Sequence, residues 1–173
     1  MSCRKPNAMS PYLRPGLAAA LVALVADQAV KLWLLYGLEI ASRGAMRVTP
    51  FFDLVLAWNT GISYGWFQSE GAFGQTILIA IKVVAVIALA IWLVRAQTRI
   101  AALGLGLIIG GAIGNAIDRV AYGAVMDFAF FHVRIGDSTF NWYVFNLADA
   151  AIVAGVAALL YDSLRGLPAA KAP

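Results

Sequence analysis

Gly106–Phe128, GLIIGGAIGNAIDRVAYGAVMDF, is the stretch on which the fold turns. Its first half is hydrophobic, and Gly106, Gly110 and Gly114 recur every four residues, a small-residue stripe that lets a second helix approach closely in lipid. Its second half delivers Asn115, Asp118, Arg119 and then Asp127 where that helix leaves the membrane. Hydrocarbon offers neither water nor counter-ions, so ionisable groups at this depth point to a functional site. Asn115 shares one helical face with Asp118, one turn on, and with Arg119 beside it. The same Asn-x-x-Asp spacing recurs in Asn146-Leu147-Ala148-Asp149. On two antiparallel helices this recurrence sets matching amide and carboxylate pairs at one level.

The composition puts those helices in a bilayer. Of 173 residues, 62% are hydrophobic and 13% charged, and the mean hydropathy is +0.80, far more apolar than a soluble domain. A span needs about 20 mainly apolar helical residues. Four segments qualify, roughly residues 17–36, 75–94, 100–118 and 145–164. One membrane domain over residues 1–173 is expected, an all-α bundle of four transmembrane helices with outward segments 37–74 and 119–144. An even number of spans sets both termini on one side. Arg4, Lys5, Arg14, Arg95, Arg99, Arg165 and Lys171 gather there, so that side is cytoplasmic. Of the nine acidic residues only Asp162 lies near it, and the chemistry therefore faces outward. The +4 charge reports this orientation, since no basic patch interleaved with aromatics outside the spans suggests nucleic acid. The first apolar run reads as an anchor and not a cleaved signal, because it is long enough to span and further spans follow.

In the first span Asp27 and Lys31 form an i,i+4 pair, either a self-neutralised pair that snorkels to the interface or a brace for the site. Lys82, in an otherwise apolar span, is expected to snorkel. Met46 to Asn59 is rich in β-branched and aromatic residues and reads as short strands joined by a tight turn. Trp58, Tyr64, Trp66 and Phe67 suit an interfacial aromatic belt. Asn59-Thr60-Gly61 is either an ordinary turn or one that folds back into the site. Val125 to Phe131 is strand-like around Asp127, and Gly136-Asp137-Ser138 reads as a hairpin turn before Phe140 to Val144 returns to the bilayer.

The residues restrict the chemistry. His132 has no serine motif near it, and Cys3 lies on the opposite side of the membrane, so a Ser or Cys nucleophile lacks its base. A lone cysteine also forms no intramolecular disulfide. No Cys/His cluster suggests zinc. Mg²⁺ on Asp118, Asp127 and Asp149 is a metal arrangement the acids permit, though nothing resembles a phosphate cradle. Paired aspartates remain. Two carboxyls a few ångströms apart share one proton, so the charged member can activate water while the neutral one donates to a carbonyl. Three acids are candidates for the two roles. Arg119 follows Asp118 and would keep a paired acid ionised, whereas Asp127 and Asp149 have apolar neighbours and no adjacent cation, which favours them as the proton-sharing pair. A proton-coupled transporter using the same acids is the rival from another class, but it expects acids spread through the membrane's depth. A structural scaffold is a further rival, one that would tolerate loss of both acids.

Five motifs in order resemble the lipoprotein signal peptidase (signal peptidase II) family: Asp27-Gln28-Ala29-Val30-Lys31, the segment from Asn59 to Gly65, the segment from Gly110 to Arg119, Val125-Met126-Asp127-Phe128, and Phe145-Asn146-Leu147-Ala148-Asp149. The resemblance implies catalytic roles for Asp127 and Asp149 and supporting roles for Asp27, Lys31, Asn59, Gly61, Asn115, Asp118, Arg119 and Asn146. It also implies four transmembrane helices, a small extracytoplasmic β-cradle and a gating helix in the bacterial inner membrane, with no metal or other cofactor. The substrates it implies are diacylglyceryl-modified prolipoproteins, cut just before the lipidated cysteine, with a globomycin-type cyclic peptide as inhibitor. Ile62-Ser63-Tyr64 and Val144 depart from the family's usual residues and bear on loop shape and the lipid pocket.

Overall fold

The structure, a computed structural model, describes residues 10–61 and 72–166. Helix α1 covers Leu13–Leu32 and continues as a π-helical turn, Trp33–Gly37; α2 is a single turn, Ile40–Arg43. Helices α3, α4 and α5 cover Ala72–Val94, Arg99–Tyr122 and Leu147–Gly166. Four strands complete the described residues: β1 Met46–Thr49, β2 Phe52–Asn59, β3 Val125–Ile135 and β4 Ser138–Asn141.

Among the described residues, Leu13–Gly37, Arg99–Tyr122 and Leu147–Gly166 are each long and apolar enough to cross a membrane. Helix α3 has 23 residues and contributes the apolar stretch Val83–Val94. Three of the four expected spans are thus recovered with shifted ends, and the second coincides with α3, whose described apolar stretch is shorter. The first starts at Leu13, the third runs on to Tyr122, and the fourth starts at Leu147 and not Phe145. Asp118 and Arg119 therefore lie in the last helical turn of α4. That helix stops at Gly123, whose left-handed backbone (φ +75°) returns its N–H to the Arg119 carbonyl.

Helix α4 is the centre of the bundle, and glycine puts it there. A Cβ on Gly106 or Gly110 would collide with the Gly16 or Ala20 carbonyl of α1, and one on Gly104 or Gly111 with the Gly155 or Ala148 carbonyl of α5. The glycines off the four-residue stripe are thus contact points for a second helix. Helix α3 joins through Leu93, packed with Ala102, Leu105 and Ile109 of α4.

The sheet is antiparallel, in the order β1-β2-β3-β4. The hairpin turn expected at Gly136-Asp137-Ser138 is present, and Ser138–Asn141 pairs with β3 as its second strand. The β3–β4 hairpin closes over Gly136-Asp137, with Gly136 at φ +61°. A bulge in β2 matters for the site. Leu54 pairs with Ala129 and Ala57 with Asp127, so two β2 residues oppose Phe128 alone. The extra residue flips the parity, which makes Asn59 and not Trp58 share the face of Asp127. Leu34 and Ile40, from the π turn and α2, pack with Met126 and Phe128 and seat β3 on the bundle.

Candidate active site

The polar residues singled out by sequence converge where α1, α4 and α5 meet β3. Asp127 comes from β3, which carries it opposite Ala57 of β2. Its Oδ2 accepts from Asn59 Nδ2 (3.2 Å) and its Oδ1 from Asn146 Nδ2 (2.7 Å). Asn59 also turns its Oδ1 back to the Gly61 N–H (3.2 Å), so Asn59-Thr60-Gly61 is a turn that does fold into the site.

Asp149 is the third residue of α5, and the Asn-x-x-Asp spacing works there as a capping box. The Asp149 N–H donates to Asn146 Oδ1 (2.9 Å), and the Asn146 N–H donates to Asp149 Oδ2 (3.3 Å). Asn115 Nδ2 donates to the other oxygen, Asp149 Oδ1 (2.8 Å). With its Oδ1 committed to the cap, Asn146 has only Nδ2 to present, and it donates to both Asp127 and Asn115 Oδ1. One asparagine thus touches both carboxyl groups.

Behind this layer lies a charged one. Lys31 is buried and its ammonium has three acceptors, Asp118 Oδ2 (2.7 Å), Asp27 Oδ2 (2.8 Å) and Asn115 Oδ1 (3.2 Å), matching its three N–H bonds. The pair with Asp27 therefore does not snorkel; it braces the site. Asp27 Oδ1 accepts the Ala148 N–H (2.9 Å), fixing the start of α5 from α1. Asp118 Oδ2 accepts the Met126 N–H (3.1 Å), fixing the start of β3. Gly114 leaves room for this arrangement, since a Cβ there would sit 2.7 Å from Asp27 Oδ2.

One expectation needs correction. The cation that compensates Asp118 is Lys31 from the neighbouring helix, and Arg119 instead donates from Nη1 to its own helix at the Asn115 carbonyl (3.2 Å). Among the described residues no group of three acid, histidine or cysteine side chains is placed to hold a metal. Gln28, beside Asp27 in the first motif, joins the brace: it donates from Nε2 to Asp118 Oδ1 (3.0 Å), to Asp27 Oδ2 and to the Gly114 carbonyl.

Burial pushes the Asp127 carboxyl above the ordinary aspartate range, and the nearby charge of Asp149 acts in the same direction; the Asn59 and Asn146 amides oppose both. His132 lies outside this site, on β3, with Nε2 3.1 Å from Asp53 Oδ2. Trp58 is exposed and its ring meets Tyr122. Ile62 to Gly65, Trp66, Phe67, Cys3 and the side chain of Lys82 lie outside the described residues.

Long apolar helices with a small antiparallel sheet hold a buried carboxyl, Asp127, and a half-buried one, Asp149, in an amide cage at one end, the arrangement of a membrane protein with a polar site. The fold is shared with a bacterial membrane enzyme structure obtained by the in meso method, which superposes with a TM-score of 0.75 over 93% of this chain and 99% of that one, at 22% identity. A second such structure gives 0.73 over 92% and 93%, at 23% identity. Residues 19–165 match the family model described as signal peptidase (SPase) II. A lipoprotein signal peptidase of Nitrobacter hamburgensis is 70% identical, and one of Rhodopseudomonas palustris 67%, each over 95% of this chain and 100% of the relative. The chain belongs to the signal peptidase II family.

Proposed function

We propose that this chain is an aspartic endopeptidase of the bacterial inner membrane. It removes the signal peptide of diacylglyceryl-modified prolipoproteins by cutting before the lipidated cysteine. The relatives' name, lipoprotein signal peptidase, supports the substrate class. The observation that carries the catalytic type is Asn146, whose amide and backbone N–H reach Asp127 and Asp149 respectively.

In this reading the two carboxyls share one proton. The ionised member takes a proton from water as the water oxygen adds to the scissile carbonyl carbon, and the neutral member donates its proton to the carbonyl oxygen. The tetrahedral intermediate then collapses: one of its hydroxyls returns a proton to the now ionised member, the C–N bond breaks, and the departing cysteine nitrogen takes up the proton of the neutral member, which restores the singly protonated pair. Asn59, Asn115 and Asn146 supply only neutral donors, so they orient the pair without neutralising it. Lys31, Asp27, Asp118 and Gln28 hold those amides and the ends of α5 and β3. Arg119 stands beside the pair as a further support.

The finer topology belongs to the same proposal. Helices α1, α3, α4 and α5 cross the membrane with both termini cytoplasmic and the acid pair toward the periplasm, where the sheet cradles the substrate peptide. The substrate's acyl chains lie between helices in contact with membrane lipid, and a globomycin-type cyclic peptide competes for the site.

A gel-shift assay on a diacylglyceryl-modified precursor in proteoliposomes tests this. The wild type is expected to shorten the precursor, and the cyclic peptide to block it. Asp127→Asn and Asp149→Asn are each expected to lose at least about 100-fold in rate, the lower range for general acid–base groups. Intact processing by both variants would remove the assignment.

A further inference from the structure

The outer part of the β3–β4 hairpin is amphipathic in a way the active site does not use. Strand periodicity puts Asp127, Ala129, Phe131, Val133 and Ile135 on one face of β3. Val133 pairs with Phe140, and Trp142 donates its N–H to the Phe131 carbonyl, so Phe140 and Trp142 join that face. The opposite face carries His132, Arg134, Thr139 and Asn141. The apolar face is not core, because Phe131, Val133, Ile135, Phe140 and Trp142 are each between 40% and 70% exposed.

Three features identify what covers it. At its inner end this face presents Asp127 to Asn146, at the root of α5, so the face looks toward the helix ends and the plane of the bilayer. It is continuous with the span itself, since the Phe131 ring stacks on Phe145 (5.8 Å), one residue before the cap of α5. Beyond Phe131 the strand extends about 13 Å at ~3.3 Å per residue. The apolar face of that extension holds aromatic and aliphatic groups, with the Ser138 hydroxyl opposite Ile135 at its tip and no carboxylate or amide side chain. A peptide would need partners for its amides there, whereas the boundary between headgroups and acyl chains needs none and favours aromatic rings.

We propose that the β3–β4 hairpin is an interfacial anchor that lays Phe131, Val133, Ile135, Phe140 and Trp142 into the outer leaflet, with Arg134 on the reverse face turned to the headgroups. This goes beyond the peptidase reading and fixes the height of the sheet, and so of Asp127, over the bilayer.

Nitroxide depth measurements on the full chain test it. Cys3→Ser is combined with a single label introduced by Val133→Cys, Ile135→Cys, Phe140→Cys, Arg134→Cys or Thr139→Cys, in vesicles of phosphatidylethanolamine and phosphatidylglycerol. Labels at 133, 135 and 140 are expected to favour oxygen over a nickel chelate as strongly as one introduced by Val153→Cys, on an exposed position of α5. Labels at 134 and 139 are expected to show the reverse. Water-like values at all five positions, or shielding from both reagents at 133, 135 and 140, would overturn the anchor. If labels disturb the hairpin, the fluorescence lost in Trp142→Phe decides. Quenching of that component by lipids brominated near the headgroup supports the anchor, and its absence overturns it. These readouts do not involve processing, so a failed cleavage assay with the alternation intact would remove the peptidase reading alone.

Discussion

The two halves of α4 are held to the same neighbours by different physics. In the half beginning at its cap Thr98, Gly104 meets Gly155 of α5, and Gly106 and Gly110 meet Gly16 and Ala20 of α1, backbone against backbone. In the outer half the same stripe continues as Gly114, but what it admits is the Asp27 carboxylate, and the contacts become those of Lys31, Asn115, Asp118 and Gln28. Lipid tails are as apolar as any side chain, so close packing must hold the inner half. The outer half depends on a polar network that commits the Lys31 ammonium and both oxygens of Asp27 and of Asp118, and such a network is strong only while complete. Activity in the proposed site draws on the second kind of cohesion, because those bonds also aim Asp127 and Asp149.

The largest break in that contrast is expected from Lys31→Met. It leaves Asp27 and Asp118 buried without their cation, a loss of about 3–5 kcal/mol for breaking a buried pair. Thermal unfolding in detergent should fall accordingly, and processing should be lost with it. Gly110→Val acts on the packed half and is expected to cost less, about 1–3 kcal/mol for overpacking. Protein that survives should process at close to the normal rate per folded molecule, since no bond to the acid pair is touched.

The smallest effect sharpens the comparison through pH. Asp127 has a folded pKa above its unfolded value, so the native state holds the proton more tightly. Its contribution is fully present below the unfolded aspartate pKa and is lost as pH rises through the raised folded value. Asp127→Asn carries no such proton. It should therefore gain stability relative to the wild type near neutral pH, with the gap closing in acid, as unfolding curves across that range would show.

Much of this was legible in sequence because it follows from period and charge. Asn115 and Asp118, like Asn146 and Asp149, could be placed on single helical faces, and the apolar runs could be counted against a bilayer. What escaped depended on partners distant in sequence. Arg119 adjoins Asp118 in the chain, yet Lys31 reaches it across a helix interface, and covalent adjacency says nothing about that distance. The parity of Asn59 rests on one extra residue in β2, which no local pattern announces. The capping box at Asn146 could have been seen, since a polar residue with an acid three positions on before an apolar run is a helix start.

The central claim is that residues 127 and 149 hold one proton between them. Infrared spectroscopy of protein labelled with ¹³C at aspartate carboxyls tests it most directly. The account predicts a band from a protonated, buried carboxyl near neutral pH, absent from the doubly substituted Asp127→Asn/Asp149→Asn protein. Absence of the band in the wild type, or its persistence unchanged in the double variant, would contradict it.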